Sequence, residues 1–356
     1  MKLDVRRENN NWVNGLDSIR FVLAFIVLLS HFGNPWVSYF EHSDSGLLKG
    51  VAMLIPNLFS GIGAVIAFFI ISGFVIHYPN KKGITDVRKF LLRRWLRIGI
   101  PLVVVVIITV HYNCFNRIPI WSLYCELIYY TIYPLLLKTK VSWKFKCIIS
   151  FMISIGVIGF FCTYDLGLFI HQKVIGGHSN HPFAGAYWQL GPYLTWIIGL
   201  PCWLLGVLLA ENIDAITKTV SVKRILFLRI AVFIISVGLN IAKFHFFVSY
   251  IFSMNVFSLL LFIWIKNEIL YYRERTPISI LEKMGVFSYS LYLLHSICYT
   301  ALIYFFSLTK LSYFIFIVIS ILISYLFYLV IEKPSHLFAK KLANKIQTNS
   351  IYSVEL

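Results

Sequence analysis

Long apolar runs recur along the whole chain and limit what it can fold into. Ten runs of about 17–23 residues are long enough to cross the hydrocarbon core of a bilayer as helices. Because 59% of the 356 residues are hydrophobic and 13% are charged, the chain carries more apolar surface than a soluble domain buries. The sequence therefore predicts an all-α, polytopic membrane helix bundle of about ten transmembrane helices. The runs cover 15–33, 58–78, 98–113, 120–137, 147–164, 188–210, 226–242, 246–265, 285–307 and 311–331.

The distribution of Lys and Arg predicts the orientation of this bundle. Of the 32 Lys and Arg residues, 26 lie on or at the ends of segments that share a side with the N-terminus, five lie on the opposite segments, and Arg20 lies within the first run. Cytoplasmic loops carry such an excess of positive charge, so we expect both termini to be cytoplasmic. The net charge of +17 then reflects topology and attraction to anionic lipid headgroups, and we expect no nucleic-acid partner.

The apolar runs also predict the domain organisation. No segment between them is long enough for a second folded domain, so residues 1–340 are interpreted as one transmembrane domain and 341–356 as a short cytoplasmic tail. The first run lacks a small-residue cleavage site and is interpreted as a retained span. The six cysteines show no metal-binding spacing, and we expect neither a metal site nor a disulfide.

The first run contains two ionisable side chains, Arg20 and His31. Such residues are costly in lipid and mark functional sites by default. A separation of 11 positions returns a helix to within roughly 20° of the same face and corresponds to about 16 Å along the axis. We therefore expect Arg20 toward the cytoplasm and His31 near the outer surface. Arg20 either meets an anionic ligand such as a phosphate or snorkels to the inner headgroups.

Glu126 is the only acidic residue well inside a predicted span, at a depth similar to that of His31. A neutral imidazole can take a proton from a hydroxyl, and a carboxylate can orient it and stabilise the imidazolium. One interpretation is therefore a general base, His31, with Glu126 as its partner. The other is a buried polar pair that holds two helices together.

Further candidates lie in or directly beside three other runs. Arg93, Arg94 and Arg97 cluster at the predicted cytoplasmic edge, where they either bind phosphate or anchor the helix by positive charge. Ser72, in the second span, allows close helix packing or leaves room for a ligand. His295 is expected near mid-membrane, where it lines a cavity or makes a helix-to-helix hydrogen bond.

Two outer segments are candidates for contact with an acceptor molecule. The segment 163–187 contains His171, His178 and His181, whose spacing fits no common zinc pattern. The segment 34–57 contains aromatic and acidic side chains that suit sugar rings and hydroxyls. Anchoring at the membrane interface explains the aromatic residues as well.

Seven stretches together resemble the acyltransferase-3 family of integral-membrane acyltransferases. They follow the family order over nearly the whole chain. They are the Arg20-x10-His31 spacing within LDSIRFVLAFIVLLSHF, FFIISGFVI (68–76), FLLRRWLRIGIP (90–101), WSLYCELIYYTIYP (121–134), LGPYLTWIIGLPCWLLGVLLA (190–210), MGVFSYSLYLLHS (284–296) and YLVIEKP (328–334).

The resemblance implies transfer of an acyl group, usually acetyl from acetyl-coenzyme A, to a sugar hydroxyl of a surface polysaccharide or lipid-linked glycan. It implies a multi-pass protein of the inner cell membrane, with Arg20 and His31 as essential residues and Glu126 at a matching position. Acetyl-coenzyme A is a substrate in this interpretation, and no permanently bound cofactor is expected. Some members carry a C-terminal hydrolase-like domain; the position of the last span here predicts the stand-alone type.

These expectations combine into one mechanism. Acetyl-coenzyme A docks from the cytoplasm near Ser72, with Arg20 and the cluster of Arg93, Arg94 and Arg97 around its phosphates. His31 then deprotonates the acceptor hydroxyl with Glu126 in support, and an acetyl-histidine intermediate is an open variant.

Three other functions explain parts of the pattern. A transporter or flippase of a lipid-linked sugar explains the spans and the buried charges, although ion-coupled transporters usually show repeats and more intramembrane acids. A polysaccharide polymerase and a purely structural subunit are the remaining alternatives. The structural role gives no reason for Arg20 and His31 to share a helix face.

Overall fold

The computed structural model describes residues 13–112, 120–163, 191–246 and 250–352, and every regular element among them is helical. This confirms the all-α fold class. The α-helices are α1 Leu16–His31, α2 Pro35–Glu41, α3 Gly46–Leu54, α4 Gly61–His77, α5 Val87–His111, α6 Ile120–Lys138, α7 Trp143–Thr163, α8 Gly191–Asn212, α9 Val222–Phe246, α10 Tyr250–Tyr272, α11 Ser279–Gly285, α12 Ser288–Phe305, α13 Lys310–Phe327 and α14 Lys333–Tyr352.

Within the described residues, seven helical segments are long and apolar enough to cross a membrane, or nine if two bent helix pairs each count as one span. Several of these segments keep most of their apolar side chains on the outside. Only 17% of the most apolar window of Val222–Ala242 is buried within the protein, as expected for a helix that faces lipid. The multi-pass character is thus supported, while the number of ten spans and the cytoplasmic termini stay predictions.

Two regions next to the predicted site residues differ from the sequence prediction. The third predicted span is part of the longer helix α5, which begins where the Asp86 carboxylate accepts a hydrogen bond from the Lys89 amide at 3.0 Å. The clustered arginines therefore lie on the same helix as the span. The outer segment 34–57, expected as a loop, contains α2 and α3. The Asn34 side chain caps α2, and Pro35 occupies its first turn.

The described residues form two compact units. The first unit comprises those within Met1–Leu23, Ile62–Lys82 and Val141–Val286. The second unit comprises those within Ala24–Gly61, Gly83–Lys140 and Phe287–Leu356.

Close approach of α4 and α8 organises the first unit. A methyl group added at Gly73 would collide with the backbone oxygen of Trp203, and one added at Gly206 would collide with that of Ile70. The two glycines therefore let the backbones touch, as small residues do between membrane helices. Polar side chains join other helices of this unit, since Asn255 on α10 donates to Ser154 on α7 at 2.5 Å.

In the second unit, α5 packs against α6 and α14, and α12 packs against α13. A π-helical turn at Tyr328–Glu332 connects α13 to α14 and brings the Glu332 carboxylate to the start of α12. There its Oε2 accepts hydrogen bonds from the Ser290 hydroxyl at 2.5 Å and the Ser290 amide at 3.2 Å. A negative charge at a helix N-terminus is favourable, so Glu332 fixes where α12 begins.

We expect Gly73→Ala to lower stability by about 1–3 kcal/mol, because the added methyl overpacks the α4–α8 contact. The matched control is Gly238→Ala on α9, where an added methyl meets nothing within 4 Å. The measurement is thermal unfolding of both variants in detergent. Equal melting temperatures for the two variants would show that the close approach of α4 and α8 does not contribute to stability.

Candidate functional site

His31 is the last residue of α1, and its side chain is exposed. The ring Nδ1 lies 3.0 Å from the backbone oxygen of Val27 and 3.1 Å from the Ser30 hydroxyl oxygen. Since a carbonyl oxygen only accepts hydrogen bonds, Nδ1 carries the proton in a neutral ring. Nε2 is then left with a lone pair that can accept a proton from a substrate.

The aromatic ring next to His31 is that of His295 on α12, with 4.8 Å between the ring centroids. His295 is fully buried. Its Nδ1 donates to the Tyr292 backbone oxygen at 2.5 Å, and its Nε2 has no hydrogen-bond partner among the described residues. This hydrogen bond stays within α12, which differs from the expected helix-to-helix hydrogen bond.

A buried hydroxyl pair continues from His295 to α6. The Tyr292 ring lies 5.9 Å from the His295 ring, and its hydroxyl oxygen lies 2.6 Å from that of Ser122. Either hydroxyl can donate in this pair. Both side chains are buried, so the hydrogen bond joins α12 to α6 inside the second unit.

Glu126 lies one turn further along α6 and is half-buried. Its carboxylate accepts a hydrogen bond from the Tyr130 hydroxyl, and its charge interacts with Tyr292 and Arg94. The hydrogen-bond partners of the His31 ring are Val27 and Ser30 instead. Glu126 and His31 thus belong to the same unit without a direct hydrogen bond between them.

The three clustered arginines of α5 have different surroundings. Arg93 donates through its terminal nitrogen to the Asn344 side chain at 2.7 Å, whereas its buried Nε meets no acceptor in the part of the chain that the structure describes. Arg94 interacts electrostatically with Tyr130 and Glu126. Arg97 interacts electrostatically with Tyr289, whose hydroxyl donates to the Ile98 backbone oxygen at 2.9 Å and ties α12 to α5.

Seven side chains of the second unit therefore follow one another from α5 to the end of α1. We call this set the polar column: Arg94, Tyr130, Glu126, Ser122, Tyr292, His295 and His31. Along α12, Tyr289, Tyr292 and His295 recur every three residues and therefore lie on one side of the helix. The column thus connects the arginine cluster to an exposed imidazole within a bundle of apolar helices.

Two expected site residues lie in the first unit. Arg20 donates to the Asp17 carboxylate at 3.4 Å and is partly buried, with 23% of its side chain exposed. The Ser72 hydroxyl accepts a hydrogen bond from the indole nitrogen of Trp203 at 3.3 Å. Ser72 thus takes part in the packing of α4 against α8, and its role in donor binding stays a prediction.

The expected acceptor segment 163–187 lies almost wholly outside the described residues, and so do His171, His178 and His181. Within the part of the chain that the structure describes, no group of three or more His, Cys, Asp or Glu side chains is arranged to hold a metal ion.

Comparison with known protein families identifies the chain. The model of the acyltransferase-3 family, described as an acyltransferase domain, matches residues 13–329. The chain belongs to the acyltransferase-3 family. Searches of curated proteins and of solved structures returned no match.

Membership of the acyltransferase-3 family confirms the resemblance of the sequence motifs and, with the apolar helices, supports a multi-pass membrane acyltransferase. The matched range contains the whole polar column. Sequence reasoning had found His31, Glu126 and the arginines. It missed Ser122, Tyr130 and Tyr292, although Tyr130 follows Glu126 by one helical turn and Tyr292 precedes His295 by three residues.

Proposed function

We propose that this acyltransferase-3 protein transfers acetyl from cytoplasmic acetyl-coenzyme A to a sugar hydroxyl of a surface polysaccharide or its lipid-linked precursor. The observation that supports this proposal most is the polar column, which links an arginine cluster to an exposed imidazole inside an apolar helix bundle. A reaction between a charged donor on one side of a membrane and an acceptor on the other needs such a polar connection.

The donor phosphates are proposed to bind at the arginine cluster of α5. Since the described residues offer the buried Nε of Arg93 no acceptor, this guanidinium has a donor for an anionic ligand. Guanidinium groups suit phosphate because they present several N–H donors in a fixed plane. Arg97 lies one turn away on the same helix face. Donor binding by Arg20 and by Ser72 stays a prediction.

His31 is proposed as the general base. Its Nδ1 is held by the Val27 backbone oxygen, which leaves Nε2 to take the proton of the acceptor hydroxyl. The hydroxyl oxygen then attacks the thioester carbonyl carbon, a C–O bond forms and the C–S bond breaks. The thiolate of coenzyme A leaves and takes up the proton. In the alternative route, Nε2 attacks first and an acetyl-histidine forms before the hydroxyl reacts.

The role proposed for Glu126 changes with the structure. Because its hydrogen bond comes from Tyr130 and its charge acts on Tyr292, it supports the site through the polar column and not by direct contact with His31. A carboxylate placed there compensates the positive charge of Arg94.

The acceptor is proposed to bind beyond His31, where aromatic side chains of α2 and α13 meet. The Trp36 ring lies 5.6 Å from those of Tyr313 and Phe314, and Tyr39 is 62% exposed. α2 begins only four residues after His31, so this aromatic surface starts next to the proposed base. Flat rings of this kind suit the C–H faces of a sugar.

We expect His31→Gln to reduce acetylation of the surface glycan by about 100-fold or more, because glutamine cannot take up a proton. Mass spectrometry of the surface glycan measures this, in cells with the native protein, the variant or no gene. The control is His111→Gln at the exposed end of α5, which should leave acetylation unchanged. Native acetylation in His31→Gln cells at normal protein level would refute the assignment of the base. Identical glycans with and without the gene would refute the function itself.

We expect Arg93→Gln to raise the KM for acetyl-coenzyme A about tenfold, with kcat changed much less. A charge-assisted hydrogen bond is worth about 1.5–3 kcal/mol, and 1.4 kcal/mol corresponds to a tenfold change in binding. The matched control is Arg88→Gln, an exposed arginine on the same helix. Steady-state kinetics of the purified chain in lipid provide the measurement. An equal rise in KM for both variants would mean that general positive charge, and not Arg93, attracts the donor.

A further inference from the structure

His295 carries a buried acceptor that no group among the described residues satisfies. Its Nδ1–H is bound to the Tyr292 backbone oxygen, so the unpaired Nε2 carries a lone pair. The ring is fully buried, and a buried acceptor without a partner is unfavourable unless a ligand or a neighbouring group supplies a donor. The ring of His295 is therefore held in one orientation, with Nε2 able to accept a proton or a hydrogen bond.

The ring of His31 places a second titratable imidazole beside His295. The two ring centroids are 4.8 Å apart, so the two imidazoles are direct neighbours. His31 is exposed, whereas His295 is buried and contacts Tyr292, the next member of the polar column. His31 thus lies at the proposed acceptor end of the polar column, and His295 is the next member toward the arginine cluster.

When the two substrates arrive from opposite sides of the membrane, protons are transferred at two separate places in the site. The hydroxyl loses its proton on the acceptor side, and the departing sulfur gains one on the donor side. We propose that His295 is a second catalytic imidazole, which receives at Nε2 the proton that His31 has taken from the hydroxyl and delivers it to the sulfur of the departing thiol. This inference rests on the proposed acetyl transfer.

The proton balance of this relay is complete. The hydroxyl proton moves to Nε2 of His31, the oxygen forms a bond to the acetyl carbon, and the C–S bond breaks. The proton then passes to Nε2 of His295 and on to the thiolate, which leaves as free thiol. Both imidazoles end neutral, with Nδ1 still bound to the same backbone oxygens.

The test compares two acetyl donors whose thiols differ in their need for a proton. The alkyl thioacetate S-acetyl-N-acetylcysteamine resembles the thioester end of acetyl-coenzyme A. Phenyl thioacetate instead releases a thiolate that is stable without a proton. Both are given to inverted membrane vesicles that contain the full chain and the native glycan. The measured quantity is the ratio of acetyl incorporation from the two donors after subtraction of vesicles without the protein. A ratio within one sample does not depend on how much variant folds.

We expect His295→Gln to lower transfer from the alkyl donor about 100-fold and transfer from the aryl donor less than about tenfold, so that the ratio changes. His31→Gln should lower both rates equally, because the hydroxyl must be deprotonated in either case. A native ratio in His295→Gln vesicles would overturn the relay. Absence of transfer by the native protein from both thioacetates and from acetyl-coenzyme A would instead refute the proposed function.

Discussion

The polar column of the second unit depends on one constraint: a polar side chain inside an apolar helix bundle must find its partner within the protein. His31 and His295 meet this constraint in the same way, since each ring binds a backbone oxygen one turn earlier on its own helix. These hydrogen bonds fix both tautomers and leave both Nε2 atoms as acceptors. The proposed chemistry follows from that shared arrangement, because a base needs a lone pair held in a known place.

The rest of the second unit positions these two rings. Glu332 fixes the start of α12, Tyr289 ties this helix to α5, and Tyr292 ties it to α6 through Ser122. Each contact acts on a residue within two turns of His295. A single helix thus carries three side chains of the site at regular spacing, and its position relative to α5 and α6 decides whether the polar column is continuous.

The sequence predicted the features that depend on short stretches of neighbouring residues. Long apolar runs predicted the helices, and the spacing of Arg20 and His31 identified the helix that ends at the site. Asn34 followed by Pro35 is a recognisable helix start, so α2 was within reach of sequence reasoning although the segment was interpreted as a loop. Contacts between distant segments were not predictable. Neither the approach of His295 to His31 nor the Tyr292–Ser122 pair leaves a periodic pattern, and Glu126 was matched to His31 by depth alone.

The central claim is that the arginine cluster and His31 lie at opposite faces of the membrane, so that acetyl passes between them. The most direct measurement is labelling of a single cysteine at position 31 or at position 88 with an impermeant maleimide, in sealed cells and in inverted vesicles. We expect the cysteine at position 31 to react only from the outside and the one at position 88 only from the cytoplasmic side. Reaction of both positions from the cytoplasmic side would contradict a transfer across the membrane.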